Sequence, residues 1–345
     1  MESVTTCDTE CDARPAPGAG TRRVTRAKRA GGILLAVLGG TAMAVQSRVN
    51  AQLGKEIHDS ALAAVVSFGG GLLILLAAFA VSPRMRTGLG RVGSALRERR
   101  LRPWHLLGGL VGALYVLGQS VSVMVLGVAM FTVGVVAGQT VSGLVVDKAG
   151  LGPAGRRPLT WPRVAGALLT VLAVGVALSA DVGGADPTAI WLLVLPLVAG
   201  AGMSVQQAFN GHIGAVSGSP LTAALVNFTA GTTALVVAWL ASLGWHGLPT
   251  GFPDNPALYL GGPIGILFIA TAAFVVSWIG VLLLALGSVA GQLVGSVLLD
   301  ALVPAAAAPL ATATLAGCGL ALVAVVVAAA GGRRGERRAL EQSAA

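Results

Sequence analysis

The chain has 345 residues, of which 55% are hydrophobic and 11% charged, and its mean hydropathy is +0.82. Soluble globular chains carry roughly 25% charged residues, so lipid is the expected solvent for most of this one. The net charge of +9 does not point to nucleic acid, because Lys and Arg gather in four clusters and vanish between Arg163 and Arg333, whereas a nucleic-acid surface concentrates them on one face of a domain.

Residues 1–30 are polar and read as a disordered cytoplasmic tail. Cys7 and Cys11 have no second ligand pair nearby to complete a metal site, so they read as reduced thiols; Cys318 sits in an apolar run and reads as packing. Arg22, Arg23, Arg26, Lys28 and Arg29 precede the first apolar run as they would in a signal peptide. That run lies behind a long tail and lacks a convincing cleavage site, so it reads as a retained span. A bilayer core of about 30 Å needs about 20 apolar residues. Runs of that length fall at 31–50, 61–81, 104–124, 128–147 and 162–180, then at 189–209, 221–241, 257–278, 280–300 and 310–330. The breaks at Leu126–Gly127 and Ser277–Gly280 are short. A basic cytoplasmic tail, 331–345, follows.

The charges test this count. Arg22 to Arg29 precede span one; Arg84, Arg86, Arg91, Arg97, Arg99, Arg100 and Arg102 follow span two; Lys148, Arg156, Arg157 and Arg163 follow span four; Arg333, Arg334, Arg337 and Arg338 follow span ten. With ten spans all four clusters share one face, which the positive-inside rule makes cytoplasmic. Both termini are then cytoplasmic and the protein is multi-pass in the plasma membrane. Asp181, Asp186 and Asp254 fall on the outer face. Trp104, Trp161 and Trp191, at span starts, read as interfacial anchors.

The second half repeats the first. Gly40, Met43, Val45, Gln46, Asn50 and Gly54 recur 160 residues on as Gly200, Met203, Val205, Gln206, Asn210 and Gly214, and Ala63, Ala64, Phe68 and Gly71 as Ala223, Ala224, Phe228 and Gly231. Gly108, Gly109, Gly112, Gly134, Ala137, Gly138, Gln139 and Asp147 recur 153 residues on as Gly261, Gly262, Gly265, Gly287, Ala290, Gly291, Gln292 and Asp300. Apolar runs align by chance, but Gln, Asn and Asp are rare inside spans. Each repeat has five spans, an odd number, so the copies at 31–180 and 181–330 enter the membrane from opposite sides. The expected fold is therefore an all-α membrane protein of ten transmembrane helices in two inverted five-helix repeats, a recurring transporter device.

The pattern Gln46-x-x-x-Asn50-Ala51-x-Leu53-Gly54 with Ala63, Phe68 and Gly71, and the run Ala137-Gly138-Gln139 to Val146-Asp147 with Arg156-Arg157-Pro158 after it, resemble the YdcZ-type branch of the drug/metabolite transporter superfamily. The similarity covers most of 33–330, once per half, in a fused two-repeat form. It implies a ten-helix drug/metabolite transporter fold with a central cavity between the halves, and it names no substrate. The second copy departs from the pattern: no basic loop follows Asp300, and Pro220 stands where the first copy has Ser60.

Polar side chains in hydrocarbon are expensive and mark functional candidates. Gln46 with Asn50, and Gln206 with Asn210, lie four apart on one helix face; Gln139 and Gln292 lie about 16 Å into their spans, near the midplane. These six amides, with Tyr115 and Gln119 of span three, are candidates to line a substrate path, against the plainer role of joining helices at roughly 0.6 kcal/mol per hydrogen bond. Asp147 and Asp300 end spans four and nine and are gating or proton candidates, although Asp147 beside Lys148 reads more readily as an interfacial pair. Arg48 is a candidate to attract anions, or it snorkels. Gly108 with Gly112, Gly134 with Gly138, Gly261 with Gly265 and Gly287 with Gly291 read as close helix crossings.

H-E-x-x-H, G-x-S-x-G and the phosphate-binding loop are all missing from the sequence, and His58, His105, His212 and His246 cluster with nothing. No enzyme activity, cofactor or metal is expected. The expected partners are membrane lipid and a small-molecule substrate but not nucleic acid, and a homodimer is compatible with the reading. The reading is a secondary transporter of a small polar or amphipathic metabolite or drug-like solute; a non-transporting membrane scaffold or accessory subunit is the alternative.

Overall fold

The structure is a computed structural model that describes residues 26–152, 155–156, 159–179, 191–246, 251–303 and 311–343; Cys7, Cys11, Arg22, Arg23, Arg157, Asp181 and Asp186 lie outside them. All regular elements among the described residues are helical. They are α1 (Arg26–Ile57), α2 (Ser60–Val81), α3 (Pro83–Arg97), α4 (Gly108–Ala149), α5 (Trp161–Leu178), α6 (Val194–Ser217), α7 (Pro220–His246), α8 (Gly261–Leu302) and α9 (Thr312–Ser343), with 3-10 turns at Pro103–Leu107 and Pro256–Tyr259. Among the described residues, Ala30–Ile57, Ser60–Val81, Pro103–Ala149 and Pro220–Gly244 are long and apolar enough to cross a membrane.

α1 starts at Arg26, so the last five residues of the stretch 1–30 are helical, and α9 continues past residue 331 as far as Ser343. Ala, Lys, Arg, Glu and Leu dominate both stretches, and all are strong helix formers.

Two long helices are hairpins. Along α4 before residue 127, Gly108 faces Asn210 and Gly112 faces Gln206, so this arm (108–126, α4N) runs antiparallel to α6. Beyond it, Gly134 faces Leu193 and Pro196, Gly138 faces Leu197 and Ala201, and Gly143 faces Ser204, so the second arm (128–149, α4C) runs parallel to α6. The reversal is at Gly127, whose φ of 80° and ψ of 160° belong to a region essentially reserved for glycine. Phe131 returns against Tyr115, with ring centroids 5.8 Å apart; in a straight helix sixteen residues would separate them by about 24 Å.

α8 behaves alike. Gly261 faces Asn50, Gly265 faces Gln46 and Phe268 faces Gly39, antiparallel to α1; Gly287 faces Ala36, Gly291 faces Val37 and Gly295 faces Thr41, parallel to it. The chain therefore turns back between Phe268 and Gly287, an interval that contains Ser277–Gly280.

The halves interlock through equivalent contacts. A Cβ on Gly109 would land on the backbone carbonyl of Asn227, and one on Gly262 on that of Ser67. Asn227 and Ser67 are equivalent positions, so each half inserts a glycine helix start into the other half's second long helix. Phe68 and its equivalent Phe228 stack at 4.7 Å with 25° between their planes, which puts a pseudo-twofold axis between them. α1 runs parallel to α4N, since Ser47 and Asn50 meet Gln119 and Gly54 meets Ser120, while α6 runs antiparallel to α4N. The equivalent helices α1 and α6 thus point in opposite directions. Water expulsion does not drive helices together in lipid, so such close backbone packing supplies the cohesion.

Turn chemistry repeats even where residues differ. α1 leaves through His58 with φ 58° and α6 through Gly218 with φ 68°; α2 is capped by Asp59, which accepts from Leu62 N, and α7 by Ser219, which accepts from Thr222 N. A non-glycine residue in the left-handed region costs about 1–2 kcal/mol. His58→Gly is expected to raise the unfolding free energy of the detergent-solubilised protein by up to about 1 kcal/mol, once the added freedom of the unfolded glycine is offset, and so to raise its thermal midpoint; a lowered midpoint would count against the cap.

The first part of the arginine-rich stretch after span two, Arg84 to Arg97, is the helix α3 and not an open loop. Met85, Gly88, Val92 and Ala95 form its buried face, and Ser82 and Pro83 start it.

Candidate functional site

The two mirrored amide groups lie where the halves cross. In one, Gln46 Nε2 donates to Gly261 O at 2.7 Å, Asn50 Nδ2 to Gln119 Oε1 at 2.6 Å, and Gln119 Nε2 to Ser47 Oγ at 2.8 Å. In the other, Gln206 Nε2 donates to Asn227 Oδ1 at 2.8 Å. Gly265 and Gly112 leave the room these glutamines occupy, since a Cβ at either would lie 2.8 Å from the amide nitrogen. Gln46 Oε1, Asn50 Oδ1, Ser67 Oγ, Gln206 Oε1 and Asn210 Oδ1 are buried without a protein partner. A buried unmade acceptor costs about 1–3 kcal/mol, so this belt holds hydrogen-bonding capacity that the fold itself does not use.

One end of the molecule is open. A cleft of about 340 Å³ lies between α4C, the start of α5 and α6, and its polar lining is Gln139, Thr140, Asp147, Arg163, Ser204 and Gln207. Ser204 Oγ donates to Gln139 O at 2.7 Å and so fixes α6 against α4C. Asp147 pairs with Arg163 across the mouth, both partly exposed at 32% and 20%. This differs from pairing with the adjacent Lys148, because residues one apart on a helix point about 100° away from each other, whereas Arg163 at the start of α5 leans back over the mouth.

The equivalent end is shut. Asp300, the counterpart of Asp147, is 6% exposed. Its carboxylate accepts from Val128 N at 3.1 Å and Ala129 N at 2.7 Å, the first free N–H groups of α4C after the Gly127 turn. The carboxylate is thus a buried helix cap, placed where the helix dipole favours negative charge. Ser296 and Ser47, which correspond to Gly143 and Gln207 of the open cleft, are 0% and 2% exposed. The second repeat has no Lys or Arg before Arg333 to take the place of Arg163.

The other candidates take various places. Gln139 lines the open cleft, and Gln292 is half-buried where α8 packs on Gly40. Tyr115 and Gln119 are buried inside the α1–α4N contact and do not face the cleft. Arg48 neither snorkels freely nor points into the cleft, since its Nη1 donates to Met124 Sδ at 3.4 Å. All eight glycines of the spaced pairs face the opposite half. Arg163, Ser204 and Gln207 escaped the sequence reading. Arg163 looked like one more orienting charge, and Gln207 beside Gln206 gives no sign of which of the two faces the cleft.

A family model described as "Putative inner membrane exporter, YdcZ" matches residues 31–177 and again 191–327. One solved structure, described only as the crystal structure of a protein, is similar at 22% identity over 90% of this chain and 99% of that one, with a TM-score of 0.49. No curated protein matches the chain.

Proposed function

The chain belongs to the YdcZ family of the drug/metabolite transporter superfamily, and from that premise we propose that this membrane transporter is a secondary carrier exporting a small polar or amphipathic solute by alternating access. Ten spans form two inverted repeats, 31–180 and 181–330, with both termini cytoplasmic. The amide belt of Gln46, Asn50, Gln206 and Asn210 hydrogen-bonds the solute in transit, with Gln139 and Gln292 guarding its two approaches.

The observation that carries this reading is the unequal state of equivalent ends: Asp147 stands in a solvent-accessible cleft while Asp300 is buried as a cap. Two inverted copies that trade these states would expose the belt to each side in turn. The open cleft lies beside the basic residues Lys148 and Arg163, and the positive-inside rule supports reading it as the cytoplasmic entrance, as export requires.

The test is solute flux into proteoliposomes, screened over polar and amphipathic compounds with imposed proton or sodium gradients. Gln139→Leu and Arg163→Gln are expected to cut transport about tenfold or more while unfolding changes by less than about 1 kcal/mol, since a partly exposed ion pair contributes little stability. Folded protein without flux for any compound would overturn the carrier reading in favour of a scaffold.

A further inference from the structure

An apolar groove of about 560 Å³ runs beneath α3 where it crosses α2 and α7, lined by Leu89 and Leu96 of α3, Phe79, Leu106, Val226 and Thr229. Its depth comes from Gly93, where an added Cβ would meet nothing within 4 Å. The chain above the groove is strongly basic, with seven arginines and one glutamate between Ser82 and Arg102.

Most of those arginines are turned elsewhere. Arg91 donates to Ser217 O, Arg100 pairs with Glu98, and Arg102 lies 5.3 Å over the Trp104 ring. At about 100° per residue, Arg84 and Arg91 lie on the far side of α3 from Leu89, whereas Arg86 and Arg97 lie about 60–80° round from it, along the groove's rim. Both rim arginines are exposed, and each spends one N–H locally, Arg86 on Ala80 O and Arg97 on Ser94 Oγ. A guanidinium has five N–H donors, and its fork matches phosphate.

We propose that this groove is a binding site for an acidic phospholipid of the adjoining leaflet, with an acyl chain lying against Leu89, Gly93 and Val226, the phosphate held by Arg97, and Arg86, about 16 Å away along α3, adding to the positive field over the groove. Apolar walls with guanidinium groups at their mouth complement a lipid that is apolar along its length and anionic at its end. The site is separate from the open cleft, so it supplies an annular contact that fixes α3 at the membrane surface, and it does not depend on which solute is carried.

The experiment titrates full-length protein in mild detergent with phosphatidylglycerol or phosphatidylcholine and follows native mass spectrometry and thermal shift. Wild type is expected to hold phosphatidylglycerol about tenfold more tightly, in line with the attraction of membrane-surface arginines to anionic headgroups. Arg86→Ala with Arg97→Ala should bring the two lipids to parity; Arg97→Gln alone, on an exposed side chain, should give part of that loss and serves if the pair does not fold. The charge-matched control, Arg84→Ala with Arg91→Ala, should keep the preference. Gly93→Phe should weaken both lipids alike by filling the groove. Equal binding of the two lipids by wild type, equal loss in the control pair, or undiminished binding in Gly93→Phe would each overturn the proposal.

Discussion

Asp300→Ala is expected to lower the unfolding free energy of the detergent-solubilised protein by about 2–5 kcal/mol, seen as a large drop in thermal midpoint. The carboxylate accepts from two buried backbone N–H groups at the start of α4C, and alanine would strand both with no water at hand. Asp300→Asn keeps one acceptor oxygen and should retain roughly half of the loss. The counterpart Asp147→Ala removes a partly exposed ion pair with Arg163 and should cost less than about 1 kcal/mol. Equal costs at the two aspartates would contradict the inequality of the two ends on which the carrier reading stands. Gly127→Ala should fail alongside Asp300→Ala, because the added Cβ would lie 2.9 Å from the carboxylate at a φ of +80°.

The second large effect is expected at the crossing of the halves. Gly109→Leu and Gly262→Leu each drive a side chain into a backbone carbonyl of the opposite half. Neither backbone can yield without separating the helices, so the cost should exceed the roughly 1–3 kcal/mol of ordinary overpacking. Both variants should lose the monodisperse folded species in size-exclusion chromatography. Gly70→Leu is the control, because a Cβ there meets nothing within 4 Å although it neighbours the Gly71 contact. A monodisperse Gly109→Leu protein, or a damaged Gly70→Leu protein, would show that the crossing is looser than described.

The two predictions separate what each half contributes. Asp300 belongs to the second repeat and completes a turn of the first; Gly109 belongs to the first and packs on Asn227 of the second. The first repeat's hairpin is capped from the second, and each crossing glycine, Gly109 or Gly262, packs on the opposite half, which gives a physical reason for a fused chain: joining the copies holds each at high effective concentration for the other.

The sequence by itself determined the membrane environment, the two copies, the hairpin break at Gly127 and the polar residues worth watching, because each is written in local composition or in self-similarity. It also marked Gly108, Gly112, Gly261 and Gly265 as packing sites, although the approaches to the opposite half's backbone fall one residue on from the first of each pair, at Gly109 and Gly262. It did not separate α3 from a loop, because the density of arginine hid the spacing of Met85, Gly88, Val92 and Ala95. Only the tertiary structure decided that Asp147 and Asp300, equivalent positions of the repeat of which the first alone is followed by a basic loop, differ in partners and exposure as they do. Identical motifs encode identical local geometry, but which end of the molecule closes is a property of how the two copies pack against each other, and no single-strand pattern carries that information.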